Sequence, residues 1–218
     1  MAGSLSPDLA ARITAAVDDL WDDQLAFTRE LVRFPTLRGQ EHTAQNWLHD
    51  QLAARGYAMD RWQVREEDIK DHPGFSPIAV SYENTLNVVG THTPRQATGR
   101  SLILNGHVDV VPEGPHDMWQ HPPFNPVIDG DWMYGRGAGD MKAGVCANIF
   151  AIEALKHIGL QPAATLYLQA VTEEECTGNG ALAALVRGYR ADAAIITEPT
   201  GEQLTRANVG VLWFAIEV

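Results

Sequence analysis

Ser101-Leu102-Ile103-Leu104-Asn105-Gly106-His107-Val108-Asp109 decides the fold: an apolar run of strand length, then a glycine, then two residues that can hold or steer a metal ion. Residues two apart on a strand face the same side, so His107 and Asp109 can point into one site. Two more runs repeat the pattern. Leu166 to Val171 leads into Thr172-Glu173-Glu174-Glu175, and Ala193 to Ile196 leads into Thr197-Glu198-Pro199-Thr200. Between the first and second runs lies Gly135-Arg136-Gly137-Ala138-Gly139-Asp140, a glycine-rich turn that opens a helical stretch. Apolar runs alternating with helical stretches predict an α/β fold, with a mostly parallel (mixed) sheet and helices on both faces. In such sheets ligand sites gather at the carboxyl ends of the strands, where these acidic residues and the histidine stand.

Outward from that centre, Pro7 to Phe34 reads as one or two amphipathic helices stopped by Pro35, and Glu41 to Arg55 as another ended by Gly56. Tyr57 to Val64 reads as an edge strand, Arg65 to Glu83 as an irregular surface loop, and Leu86 to Thr91 as a strand. Val111 to Tyr134 is a long, proline-rich connection carrying Trp119, Phe124 and Trp132. Connections of that length inside a compact domain are usually functional. Lys142 to Ile158 is expected as a helix, followed by a strand over Thr165 to Val171 and a helix over Asn179 to Arg187.

Composition narrows the partners. The 218 residues are 45% hydrophobic and 20% charged, ordinary for a globular protein, and large enough for a substantial core. A net charge of −12 argues against nucleic acid or an anionic membrane as partner. No stretch approaches the ~20 consecutive apolar residues of a membrane span, and Met1 to Leu20 lacks a secretory apolar core. Two cysteines, Cys146 and Cys176, make no disulfide framework. The expectation is a soluble cytoplasmic protein.

Each chemical feature has a bland reading beside it. His107 and Asp109 fit a ligand and the carboxylate that fixes its tautomer, or a surface histidine beside a solvated aspartate. Asp140, with Arg136 and Lys142 near it in sequence, fits a carboxylate shared between two cations, or a plain helix N-cap. Three consecutive glutamates repel one another unless something positive sits among them; the alternative is a charged loop facing water. Glu198 either ligates a metal or ends a strand before proline. Cys176, beside those carboxylates, is disfavoured as a thiolate and reads as packing. One imidazole and several carboxylates converging suit zinc or a similar divalent ion.

Together the four segments resemble the zinc metallopeptidase family of acetylornithine deacetylase, succinyl-diaminopimelate desuccinylase, carboxypeptidase G and aminoacylase. The likeness rests on Asn105 to Asp109, on Gly135 to Lys142 without a gap, on Glu174-Glu175, and on Glu198-Pro199-Thr200, and it runs from about Leu25 onward. It implies a phosphorylase/hydrolase-like zinc exopeptidase catalytic domain binding two Zn2+ ions, with Co2+ as a possible substitute. Asp140 would bridge the ions, His107 and Glu198 would complete one site, and Glu175 would serve the other. Glu174 would act as general base, Asp109 would orient His107, and the Asp140-Met141 bond would be cis. The resemblance also implies a small lid or dimerisation domain, whose first strand Leu212 to Val218 would begin, and a later histidine for the second ion. On this reading residues 1–210 are the N-terminal portion of the catalytic domain, 211–218 open the lid, and the chain stops before the rest. No histidine follows His157.

The expected activity is therefore removal of an acyl group from a small N-acylated amino acid such as N-acetylornithine, by a homodimer when the protein is full-length. This chain alone is expected to be nearly inactive. Two other readings remain open: a catalytically silent metal-binding or interaction module, and a dipeptidase or aminopeptidase of the same family.

Overall fold

The computed structural model describes residues 5–201 together with Gln203 and Thr205; the strand expected over Leu212 to Val218 lies outside them. The central sheet has five strands: β1 (Ala58–Gln63), β2 (Leu86–His92), β3 (Leu102–His107), β6 (Leu166–Val171) and β7 (Ala193–Ile196), in the order β1-β2-β6-β3-β7. β3 pairs in parallel with β6 and β7, whereas β2 is antiparallel to both β1 and β6. Four strands thus run one way and β2 alone is reversed, the mixed, mostly parallel sheet expected. β4 (Val127–Asp129) and β5 (Trp132–Tyr134) form a separate hairpin.

The helices are α1 (Pro7–Asp19), α2 (Trp21–Val32), α3 (His42–Ala54), α4 (Glu66–Ile69), α5 (Ala143–His157) and α6 (Asn179–Val186). α1 starts where Ser6 caps it, the hydroxyl accepting from the Leu9 amide with proline at the first helical position. Side chains alternate across the strands. Leu104, Leu166 and Leu168 therefore pack with Leu48 and Leu52 of α3 and Val145 and Ile149 of α5, with Phe27 and Leu31 of α2 behind them. Ile103, Asn105 and Gln169 face the opposite way, toward Ala181 and Leu185 of α6. Helices cover both faces of the sheet.

Several boundaries differ from the sequence reading. The N-terminal helical stretch is two helices, one of the two readings the sequence left open. The segment 65–83, read as irregular, holds α4 and a second apolar cluster in which Val64, Ile69 and Tyr82 meet Leu182 and Ala183 of α6. The connection after Val111 contains the β4-β5 hairpin and a short 3-10 turn at His116–Met118. The helix expected from Lys142 begins at Ala143, after a wide turn over Ala138–Lys142 in which Asp140 (φ −116°, ψ 104°) is not helical.

Candidate metal centre

Strand register brings the chemistry together. His107 of β3 lies level with Val171 of β6, so the residues after Val171 emerge beside it. Asn105 pairs with Ile196; His107 and Glu198 are each two residues further on and reach the same height. Asp140 arrives from the wide turn ahead of α5. Two glycines permit the approach. A methyl group on Gly144 would lie 2.3 Å from the Thr197 carbonyl oxygen, and one on Gly180 would lie 1.9 Å from that of Thr172. The starts of α5 and α6 are thus pressed against the chain where it leaves β7 and β6.

The His107 ring is buried and its two nitrogens have separate duties. Nδ1 is 2.9 Å from the Asp109 carbonyl oxygen and 3.5 Å from its carboxylate. A backbone acceptor at that distance makes Nδ1 the protonated nitrogen of the neutral ring and leaves Nε2 as the free donor atom for a cation. Nε2 is 3.1 Å from Asp140 Oδ1, 3.7 Å from Glu174 Oε2 and 3.6 Å from Glu198 Oε1. Glu175 joins through a second grouping: the donor atoms of His107, Asp140 and Glu175 lie within 4.8 Å of one another, as do those of His107, Glu174 and Glu198. Asp109 therefore steers the ring more closely through its main chain than through its carboxylate. That carboxylate, fully buried, instead accepts from the amides of Glu174 (3.3 Å) and Glu175 (3.1 Å).

The electrostatics favour a positive charge among these groups. Burial, the largest influence on His107, works to discharge it. The hydrogen bond and charge of Asp109, then the charges of Glu174 and Glu198, outweigh burial and hold its pKa up at about 9. Glu198 is pushed up to about 7, chiefly by burial, with His107 offsetting part of the repulsion from Asp140, Glu174 and Glu175. Glu174 and Glu175 are raised for the same reasons, burial first. Four carboxylates crowd one imidazole, so a proton or a cation must neutralise them. Hard oxygen donors with one imidazole suit a divalent ion of zinc type, and the residues present fit one.

Nearby cations are engaged elsewhere. Lys142 is fully buried, donates to the Phe34 carbonyl (2.8 Å) and is pushed down to about 7 by that burial. Arg136 lies over the Trp119 ring and donates to the Pro112 carbonyl at 3.2 Å. Asp140 makes no capping bond, so the N-cap alternative fails; the Asp140-Met141 peptide is cis, as expected. Cys176, read as packing, is exposed, and its thiol is raised by partial burial and by Glu173, Asp109 and Glu175. Sequence reading passed over Arg38, Glu41 and Tyr82, which line the buried floor beneath the site. Glu41 there is pushed up to about 7, mainly by burial. Nothing in their spacing marks them.

The family description "Peptidase family M20/M25/M40" matches residues 103–212, and the chain belongs to that family. It is 33% identical over 174 residues to N-formyl-4-amino-5-aminomethyl-2-methylpyrimidine deformylase of Bacillus subtilis, covering 80% of this chain and 37% of that protein. It is 31% identical over 206 residues to succinyl-diaminopimelate desuccinylase of Dinoroseobacter shibae, covering 89% and 49%. The chain thus spans less than half the length of these relatives. Human carnosine dipeptidase 1 shares the fold, with a TM-score of 0.69 at 17% identity over 86% of this chain and 41% of that one. No helix among the described residues is long and apolar enough to cross a membrane.

Proposed function

We propose that the chain is the metal-binding part of a metal-dependent amidohydrolase that removes an acyl group from a small N-acylated amine or amino acid. The observation that carries this reading is the meeting of Asp140, Glu174, Glu175 and Glu198 around Nε2 of one buried histidine. Zinc, two ions in the complete protein, is the cofactor proposed, with cobalt as a substitute. Asp140, His107, Glu198 and Glu175 would hold the ions, His107 and Glu198 serving one and Glu175 the other, with Asp140 available to both. When bound, the metal supplies a Lewis acid that polarises the substrate carbonyl and makes water a nucleophile near neutral pH.

Glu174 is the proposed general base. Half exposed and raised in pKa, it suits a group that takes a proton from water and returns it to the leaving nitrogen. Water oxygen bonds to the acyl carbon, the carbon–nitrogen bond breaks, and a carboxylate and a free amine leave. Asp109 holds His107 in its tautomer and fixes the two glutamate amides.

Relatives named for deformylation and desuccinylation support small acyl groups on amines; N-acetylornithine is the amino-acid substrate proposed. The test is hydrolysis by the full-length protein of N-formyl, N-acetyl and N-succinyl amino acids, N-acetylornithine among them, beside free-amine dipeptides, with added zinc or cobalt. Turnover of the N-acyl panel, abolished by a chelator and restored by metal, is expected. Turnover of dipeptides alone would move the reading to a dipeptidase, and metal binding without hydrolysis by the full-length protein would leave a silent module. Size exclusion of that protein tests the proposed homodimer.

A further inference from the structure

Glu173 precedes the two glutamates of the proposed site and has no place in the chemistry described. Its side chain is fully buried, and its backbone is left-handed (φ +63°), a conformation non-glycine residues keep only where the surroundings over-determine it. Three side chains reach its carboxylate. Tyr82 and Thr177 each donate a hydroxyl to Oε2 at 3.1 Å, and Arg38 donates Nε to Oε1 at 3.4 Å.

Both hydroxyls are oriented in turn. The Asn179 amide nitrogen donates to the Tyr82 oxygen at 2.9 Å, which aims the Tyr82 proton at Glu173, and the Asn179 backbone amide donates to the Thr177 oxygen at 3.1 Å. Asn179 is itself bonded both ways to the main chain of Ser76. The Glu173 carbonyl closes the loop by accepting from the amides of Thr177 and Gly178.

We infer that Glu173 is a positioning residue for the site, and that the Ser76–Tyr82 segment and Arg38 form its buttress. The carboxylate ties the loop after β6 to two distant parts of the chain and so fixes where Glu174 and Glu175 leave the backbone. Asp109 grips the amides of those two residues from the other side. The loop is clamped between two buried carboxylates, neither of which is needed as a ligand. This inference rests on Glu174 and Glu175 serving the metal, as proposed above.

The test is zinc affinity by chelator competition and the visible spectrum of the Co2+-loaded chain, for wild type, Tyr82→Phe, Glu173→Gln and Glu173→Ala. Glu173→Ala is expected to weaken zinc binding about 10–100-fold, the usual cost of losing a group that orients ligands, and to alter the cobalt bands. Tyr82→Phe should act in the same direction to a smaller extent. Glu173→Gln keeps an acceptor for the hydroxyls and should recover part of the loss. Ile69→Val trims the neighbouring apolar cluster without touching a hydrogen bond; it should lower the melting temperature and leave affinity and spectrum unchanged.

Wild-type affinity and bands in Glu173→Ala and Tyr82→Phe, while Glu175→Gln loses metal, would overturn the inference and spare the site. Equal losses in Ile69→Val would overturn it by reducing the effect to stability. If Glu175→Gln and His107→Ala also bind zinc normally, the metal reading fails and this inference falls with it. Should Glu173→Ala not fold, Tyr82→Phe and Glu173→Gln decide.

Discussion

Asp109 and Glu173 carry the same carboxylate as Asp140, Glu174 and Glu198, yet the two sets are treated in opposite ways. The first two are shut away from solvent and saturated with donors, backbone amides for Asp109 and hydroxyls with a guanidinium for Glu173. The side chains of the other three are 56%, 50% and 28% exposed, and among the described residues only His107 Nε2 approaches their oxygens. A saturated anion has no lone pair in want of a cation; a crowded, donor-poor one does. The floor of the site is built to hold position, and its mouth to hold charge.

The sharpest way to break that contrast is His107→Ala. Both donor groups share one imidazole, so wild type should take up one tight zinc equivalent and a second only weakly, and His107→Ala should lose the tight one in a calorimetric titration. Two tight equivalents in wild type, or tight binding that survives the substitution, would show that the carboxylates suffice alone. Next in size, Glu174→Gln should cut turnover of any N-acyl substrate the protein hydrolyses about 10²–10⁴-fold with zinc affinity kept, whereas Glu175→Gln should lose affinity. The reverse pattern would move the base to Glu175.

A change in the floor should be milder. Asp109→Asn is expected to weaken zinc about 10–100-fold with the fold intact; affinity equal to wild type would make that carboxylate mere packing. Gly144→Ala should cost about 1–3 kcal/mol in denaturant unfolding, as overpacking does, and an unchanged midpoint would deny the close contact with Thr197.

The smallest effect concerns pH without metal. His107, held near 9 against an ordinary 6.5, contributes stability that is complete below pH 6.5 and lost as pH rises through 9. Glu198 and Glu41, raised to about 7, bind protons in the folded state that the unfolded chain releases above about 4.5, so they too make stability fall with rising pH. The melting temperature of the metal-free chain should decline from about pH 5 to 7, above which Lys142, pushed down to about 7, offsets the loss from His107, while the increment on adding zinc grows as protons stop competing. A flat or rising metal-free profile over that interval would contradict the crowding.

The grouping at the mouth of the candidate site was legible because His107, Glu174, Glu175 and Glu198 stand at or just past strand ends, and strand ends show as apolar runs that stop. Ala193–Ile196 is recovered to the residue, and Leu166–Val171 to within one. The floor was not. Arg38 and Tyr82 meet Glu173 across long sequence separations, and no periodicity encodes such a pairing. The reversal of β2 escaped for a similar reason: β6 inserts between β2 and β3 although it comes much later in the chain. Asp140 was ambiguous locally, since an aspartate ahead of a helix also reads as a cap until the wide turn is seen.

Gly144 sets a manufacturing tolerance. Asp140 stands four residues before it, and Glu198 one residue after the Thr197 backbone it touches. Two segments separated by side chains can drift as those side chains change rotamer, but two main chains at van der Waals contact have nowhere closer to go. The spacing between the segments that carry these two carboxylates is therefore gauged by atomic radii rather than by the size of any residue, and it stays fixed while the surrounding sequence is free to vary.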